Sequence, residues 1–145
     1  MVRERPGPRP RSSYRYCSRI TLRWADNDAY GHVNNTIYYA WFDTAVNQWL
    51  VENGLLDIMG GDPIGLLVET GCRYFSPLSY PGEVELLLAV QLLGRSSVTY
   101  VLGVFEPGAE SASAEGHFTH VYVDRRNRRP TAIPQVWRQK LEQIA

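Results

Sequence analysis

The chain has 145 residues, 15 Lys+Arg against 15 Asp+Glu, and 44% hydrophobic residues, an ordinary globular composition for one domain. Its two cysteines, Cys17 and Cys72, exclude a disulfide framework and a multi-cysteine zinc site. The longest apolar run, 86–90, is too short for a membrane span, and the start lacks the apolar stretch of a secretory signal, so a reduced, soluble, cytoplasmic protein is expected.

Residues 1–23 carry seven Arg against Glu4, residues 24–123 twelve acids against two Arg, and residues 124–145 six bases against two acids. The first basic stretch is Pro-rich, so residues 1–13 are expected to be a disordered tail and 14–145 the single domain. No basic element interleaved with aromatics appears, so no nucleic-acid partner is expected.

From Tyr14 to Ala25 the side chains alternate, with Tyr16, Ile20, Leu22 and Trp24 on one face and Arg15, Arg19, Thr21 and Arg23 on the other. This is the period of a half-buried strand. Residues 25–32 are turn chemistry, and Asn34 or Asn35 is placed to cap a helix running to about Asn53, stopped by Gly54. In that helix Ile37, Trp41, Ala45 and Trp49 repeat every four residues, flanked by Tyr38, Phe42 and Leu50. So wide an apolar arc demands a large covering surface. Four apolar segments, 64–75, 83–93, 97–105 and 113–123, are separated by turn signals and predict strands that supply it. A short helix over 135–144 closes the chain. The reading is an α+β layer fold, with a curled antiparallel sheet around one long helix.

The densest polar cluster is Asp26-Asn27-Asp28-Ala29-Tyr30-Gly31-His32-Val33-Asn34-Asn35. As a calcium loop it fails, because its fifth and twelfth positions hold Tyr30 and Ile37. No metal site is expected: His117 and His120, three apart in a strand, point to opposite faces. Chain order alone leaves a Ser-His-Asp or Cys-His triad open, but no Gly-x-Ser-x-Gly turn occurs and both cysteines fall in predicted strands. What remains is two carboxylates just before a buried helix. Either they form and cap the turn, or one stands beside the helix N-terminus at the mouth of an apolar cavity.

The string from Arg23 to Asn35, with Tyr38, Phe42 and Asp43, resembles the first motif of hotdog-fold acyl-CoA thioesterases, closest to the 4-hydroxybenzoyl-CoA thioesterase-like branch. Later blocks follow in the family's order: Gly65 through Tyr74-Phe75-Ser76-Pro77 to Gly82-Glu83, then Gly94-Arg95-Ser96-Ser97, then Val121–Asp124 with Arg129-Pro130. The chain departs at Asn27 and Asp43, where Thr and Glu are commoner.

The resemblance implies a hotdog fold and hydrolysis of an acyl-CoA to free acid and CoA, with no cofactor beyond the CoA of the substrate. It implies Asp28 as the catalytic carboxylate and Gly65 as the residue whose N–H polarises the thioester carbonyl. His32, Asn34, Asn35, Tyr38 and Trp41 are the expected surroundings of the acyl group. Arg95, Ser96 and Ser97 are expected near the nucleotide. The family's assembly implies a homo-oligomer, a dimer joined sheet to sheet or a tetrameric dimer of dimers. Two rival readings are an enoyl- or hydroxyacyl-CoA hydratase on the same fold and a non-catalytic acyl-thioester binding module. The hydratase reading is weakened because no His lies within the long helix.

Overall fold

Period-two alternation becomes strand β1 (Tyr16–Thr21), and the four later apolar segments become β2 (Ile64–Tyr74), β3 (Glu83–Leu93), β4 (Ser97–Phe105) and β5 (Ala114–Val123). They are seen in a computed structural model that describes residues 6–145. All pairings are antiparallel, in one five-stranded sheet of order β1-β3-β4-β5-β2. Register shifts between Leu67 and Glu69 and between Val90 and Leu92 mark irregularities of the kind that bend a strand and deepen twist. The sheet curls around helix α1 (Ile37–Glu52). This is the hotdog architecture.

The helix is buried because its apolar arc matches the inner face of the sheet. Tyr38, Trp41, Phe42, Ala45, Val46, Trp49 and Leu50 are all buried. Phe42 lies so close to β5 that a Cβ on Gly116 would collide with its ring. Gly54, at φ +71°, ends α1. The amides of Gly54 and Leu55 then reach back to the carbonyls of Val51 and Leu50 at 3.2 and 2.8 Å, a Schellman closure. Helix α2 (Gln135–Glu142) adds Leu141, and the following Ile144, to the same core.

Two expectations change. The first strand stops at Thr21 rather than continuing to Ala25, because Arg23 and Asp26 close a tight turn that rotates Trp24 outward, 78% exposed. Trp24 packs edge-on against Tyr80 at 5.8 Å, and Ser18 takes an inward position in β1 through a 2.7 Å bond to Gln48.

The expected tail of residues 1–13 also changes; residues 1–5 lie outside the described part. Over residues 9–13 the chain is held on the outer sheet face. The Arg9 N–H donates to Glu115 at 2.7 Å, and Arg11 pairs with Glu85 at 3.0 Å while its guanidinium lies 4.6 Å over the Phe105 ring. Below it Tyr14, Leu87, Ala89, Val101, Phe105 and Ala112 form a second small core. Sheet carboxylates distant in sequence give these arginines partners that composition does not reveal.

Candidate active site

Asp26 and Asp28 are one residue apart and do different things. Asp26 is 1% exposed. Arg23 wraps it: the backbone N–H donates to Oδ2 at 2.8 Å, and Nε and Nη2 donate to Oδ1 at 3.0 and 2.7 Å. Its carbonyl accepts from Asn34 N–H at 2.8 Å, tying the turn to the helix entry. Asp26 shapes the loop.

Asp28 is half-buried. Its Oδ1 accepts from the amides of Tyr30 at 2.8 Å and His32 at 3.4 Å, which sets the direction of the carboxylate. Gly31 makes this possible with φ +80°, a conformation costly for other residues. The loop is pinned to the segment after β2: Val33 N–H donates to Leu78 at 2.8 Å, Ser79 Oγ to Gly31 at 2.7 Å, and Tyr80 N–H to Asn27 Oδ1 at 3.1 Å.

Beside it, the sequence-predicted residues gather only in part. His32, Asn35 and Tyr38 line a cleft of about 280 Å³ together with Tyr74 and Phe75. Asn34 sits just inside, its Oδ1 accepting from the Thr36 amide and hydroxyl at 3.0 and 2.9 Å, so it serves the helix entry. Trp41 does not line this cleft: it is 5% exposed, with its ring 5.0 Å from Tyr38. Its expected place at the acyl wall is corrected to core support for Tyr38.

Gly65 lies elsewhere. It opens β2, opposite Tyr122, at the far end of α1 from Asp28. The Tyr122 N–H donates to Ser96 at 2.7 Å and its carbonyl accepts from Thr131 at 3.0 Å, so Tyr122 spends its backbone groups on the β4 side. Gly65–Tyr122 is therefore a non-hydrogen-bonded pair, and the Gly65 N–H points out from the open edge of β2. Arg95, Ser96 and Ser97, in and after the β3–β4 turn, share this end, with the Arg95 carbonyl accepting from Ile133 at 2.9 Å. Arg125 is here too, its guanidinium donating to Gly61 at 3.0 Å; Arg126, Arg128 and Arg129 are exposed. Within the chain the expected residues thus fall into two separate groups, Asp28, His32, Asn35 and Tyr38 at one end of β2 and Gly65 with the Arg95 turn at the other.

The cysteines have no activating environment. Burial pushes the Cys72 thiol up to about 11, and burial with the nearby Glu85 raises Cys17. A resting thiolate nucleophile is disfavoured at both. Among the described residues no three His, Cys, Asp or Glu side chains cluster as a metal site, and no helix is long and apolar enough to cross a membrane. The sequence marks His120 only as one of two strand histidines facing opposite ways and gives it no part in the site; the structure makes it the inward one and buries it beside Gly65.

Residues 22–141 match the model of the thioesterase-like superfamily. The chain belongs to that superfamily. It is a thioester hydrolase. The solved PA5185 protein of Pseudomonas aeruginosa is similar over 96% of both chains, at 51% identity and a TM-score of 0.90. Two more distant structures share the fold. The 1,4-dihydroxy-2-naphthoyl-CoA thioesterase of Synechocystis is 19% identical over 87% of this chain and 94% of its own, with a TM-score of 0.78. The dynemicin thioesterase is 17% identical over 90% and 96%, with a TM-score of 0.82. No curated protein matches the chain.

Proposed function

We propose that this thioester hydrolase is a cytoplasmic acyl-CoA thioesterase whose active site is completed between two copies of the chain. The observation that supports the reading is that these two groups of residues lie at opposite ends of one edge strand. Among the described residues β2 has β5 as its only strand neighbour, and Leu66, Leu67 and Val68 along it are exposed. A long apolar strand edge of this kind is a template for pairing. Antiparallel pairing of two β2 strands about a two-fold axis sets the start of one against the finish of the other. The Asp28 loop, held beside Tyr74 and Phe75, then faces the partner subunit's Gly65.

In that arrangement the partner subunit's Gly65 N–H and the exposed amides of the helix entry stabilise negative charge developing on the thioester oxygen. Each such donor contributes about 10²–10³ in rate. Asp28, oriented by the Tyr30 and His32 amides, attacks the carbonyl carbon or directs a water at it. The C–S bond breaks and CoA leaves as its thiolate. Where Asp28 attacks, a water then hydrolyses the acyl-aspartyl anhydride and frees the carboxylate; where Asp28 directs a water, the acid forms at once. In either route the same single water gives its OH to the acyl group and its proton to the thiolate. His32, Asn35 and Tyr38 border the reacting group. Arg95, Ser96 and Ser97 meet the nucleotide end of CoA, with the exposed Arg126 and Arg128 close by to answer its phosphates. No cofactor enters. The unpaired cysteines suit a reducing compartment.

CoA release across a panel of acyl-CoAs tests the reading, with Asp28→Asn beside the wild type. We expect a fall in kcat/KM of about 10²–10⁴ for the variant, the range for a lost catalytic carboxylate. Full activity in the variant removes Asp28 from catalysis. Saturable binding without CoA release turns the protein into a binding module, and hydration of an enoyl-CoA would favour the hydratase.

A further inference from the structure

Behind Gly65 lies a polar group that the thioester chemistry above does not use. His120 points inward from β5 and is 4% exposed, with its Nδ1 buried and without a hydrogen-bond partner among the described residues. The rings of Tyr100, Phe118 and Tyr122 surround it at centroid distances of 6.1, 4.9 and 6.4 Å. Burial holds the imidazole neutral, its pKa pushed down to about 4. A buried polar atom left unpaired is costly, so its retention calls for a partner.

The ring nitrogen is aimed at a gap. A Cβ on Gly65 would stand 3.1 Å from His120 Nδ1. With no side chain there, the space over the Gly65 α-carbon opens into a cavity of about 80 Å³ beside the C-terminal half of α1, lined by Leu50, Leu55, Pro63 and Trp137, with Asn47 and Asp57 also on its wall. At about 30 Å³ per water in the liquid, this holds two or three waters or the end of a short acyl group. Gly65 is thus placed to act twice. Its N–H faces the edge where the thioester is proposed to lie, and its bare α-carbon leaves a passage inward to the unpartnered His120 Nδ1.

We infer that this cavity receives the acyl end of the substrate, and that His120 Nδ1 hydrogen-bonds an oxygen function on it, a hydroxyl or a carbonyl. Oxygenated acyl thioesters are then preferred to their plain hydrocarbon counterparts. The inference rests on the thioesterase reading with Gly65 at the thioester. Neutral imidazole donates or accepts according to its tautomer, so either oxygen function satisfies it. A hydrocarbon acyl group displaces any water from the cavity and leaves Nδ1 unpaired, which is how a site built for hydrogen bonding rejects an analogue lacking the group.

The test compares matched pairs, 4-hydroxybenzoyl-CoA with benzoyl-CoA and 3-hydroxybutanoyl-CoA with butanoyl-CoA. At least one oxygenated partner is expected to show a kcat/KM about tenfold or more higher. His120→Phe, which keeps an aromatic ring, brings that ratio close to one. His120→Asn, which keeps an amide near the Nδ1 position, retains part of it. Gly65→Ala keeps the N–H but fills the passage, and it lowers the ratio independently should His120→Phe fail to fold. Equal turnover within both wild-type pairs overturns the inference while the thioesterase reading stands. So does a wild-type preference that survives both His120→Phe and Gly65→Ala. No turnover of any acyl-CoA overturns the thioesterase reading and this inference with it.

Discussion

The Tyr74 hydroxyl donates to the backbone carbonyl of Asn35 at 2.8 Å, tying the last residue of the edge strand to the loop that enters the central helix. This bond holds the end of β2 against the loop that leads from Asp28 into α1. Tyr74→Phe removes it without changing ring volume. A loss of about 0.5–1.5 kcal/mol in stability is expected. Thermal denaturation reads it as a drop in Tm of a few degrees, and kcat/KM falls because the loop is less firmly placed.

The two neighbouring carboxylates should separate in their effects. Asp26→Asn breaks a charge-assisted pair around a buried carboxylate and should cost about 1–3 kcal/mol, visible in chemical denaturation. Asp28→Asn leaves only a partly exposed turn altered and should stay within about 0.5 kcal/mol of wild type while losing activity. Equal destabilisation by both variants would contradict this division of labour.

Composite sites predict complementation. Asp28→Asn and Gly65→Pro each disable catalysis alone. The proline is suited to this position because the Gly65 N–H faces the open edge rather than the ladder. Mixed one to one and refolded together, half the dimers are hybrids with one intact site of two, so about a quarter of wild-type activity returns. A site contained within one chain returns none from the hybrids.

The pairing edge itself is tested by charge. Val68, 60% exposed on the β2 edge, changed to Lys should yield a folded monomer with little activity, because like charges then face each other near the two-fold axis. Light scattering reads the mass and circular dichroism the fold. Wild-type mass also decides between a dimer and a dimer of dimers.

His120 predicts an acid limb in stability. Its folded pKa is depressed to about 4 by burial, below the usual 6.5, so the unfolded chain binds the proton more readily. Stability is therefore full above about pH 6.5 and declines as pH falls toward 4, by on the order of 3 kcal/mol at the bottom of that window. Glu85, held low by the Gly108 amide and Arg11, acts in the same direction but from about 4.5 downward. Denaturation midpoints measured between pH 7 and 5 should slope in the wild type and flatten in His120→Phe.

Much of the architecture was legible in local pattern. Strands β2 to β5 begin and end within one residue of the apolar segments between turn signals, and α1 ends two residues before the glycine that closes it. Period two, period four and turn chemistry are properties of neighbouring residues, so one chain displays them without its fold. The Asp28 motif, too, is a contiguous string, visible as a loop before a helix.

What local pattern left undecided were relations between distant residues. Trp24 continues the alternation of β1 yet faces out, since the Arg23–Asp26 pair outweighs one aromatic's preference for burial. Residues 9–13 read as a tail because Glu85, Glu115 and Phe105, their partners, are far off in sequence. Trp41 and Tyr38 are three apart on one apolar arc, and only the packed sheet decides which borders a cleft. By itself, then, the sequence determined the elements and the loop bearing the acid, because backbone propensity and periodicity act over a few residues. Only the tertiary structure parted Asp28 from Gly65 and aimed His120 at the bare glycine, because these follow from strand register and the curl of the sheet, which bring together residues that no local spacing relates.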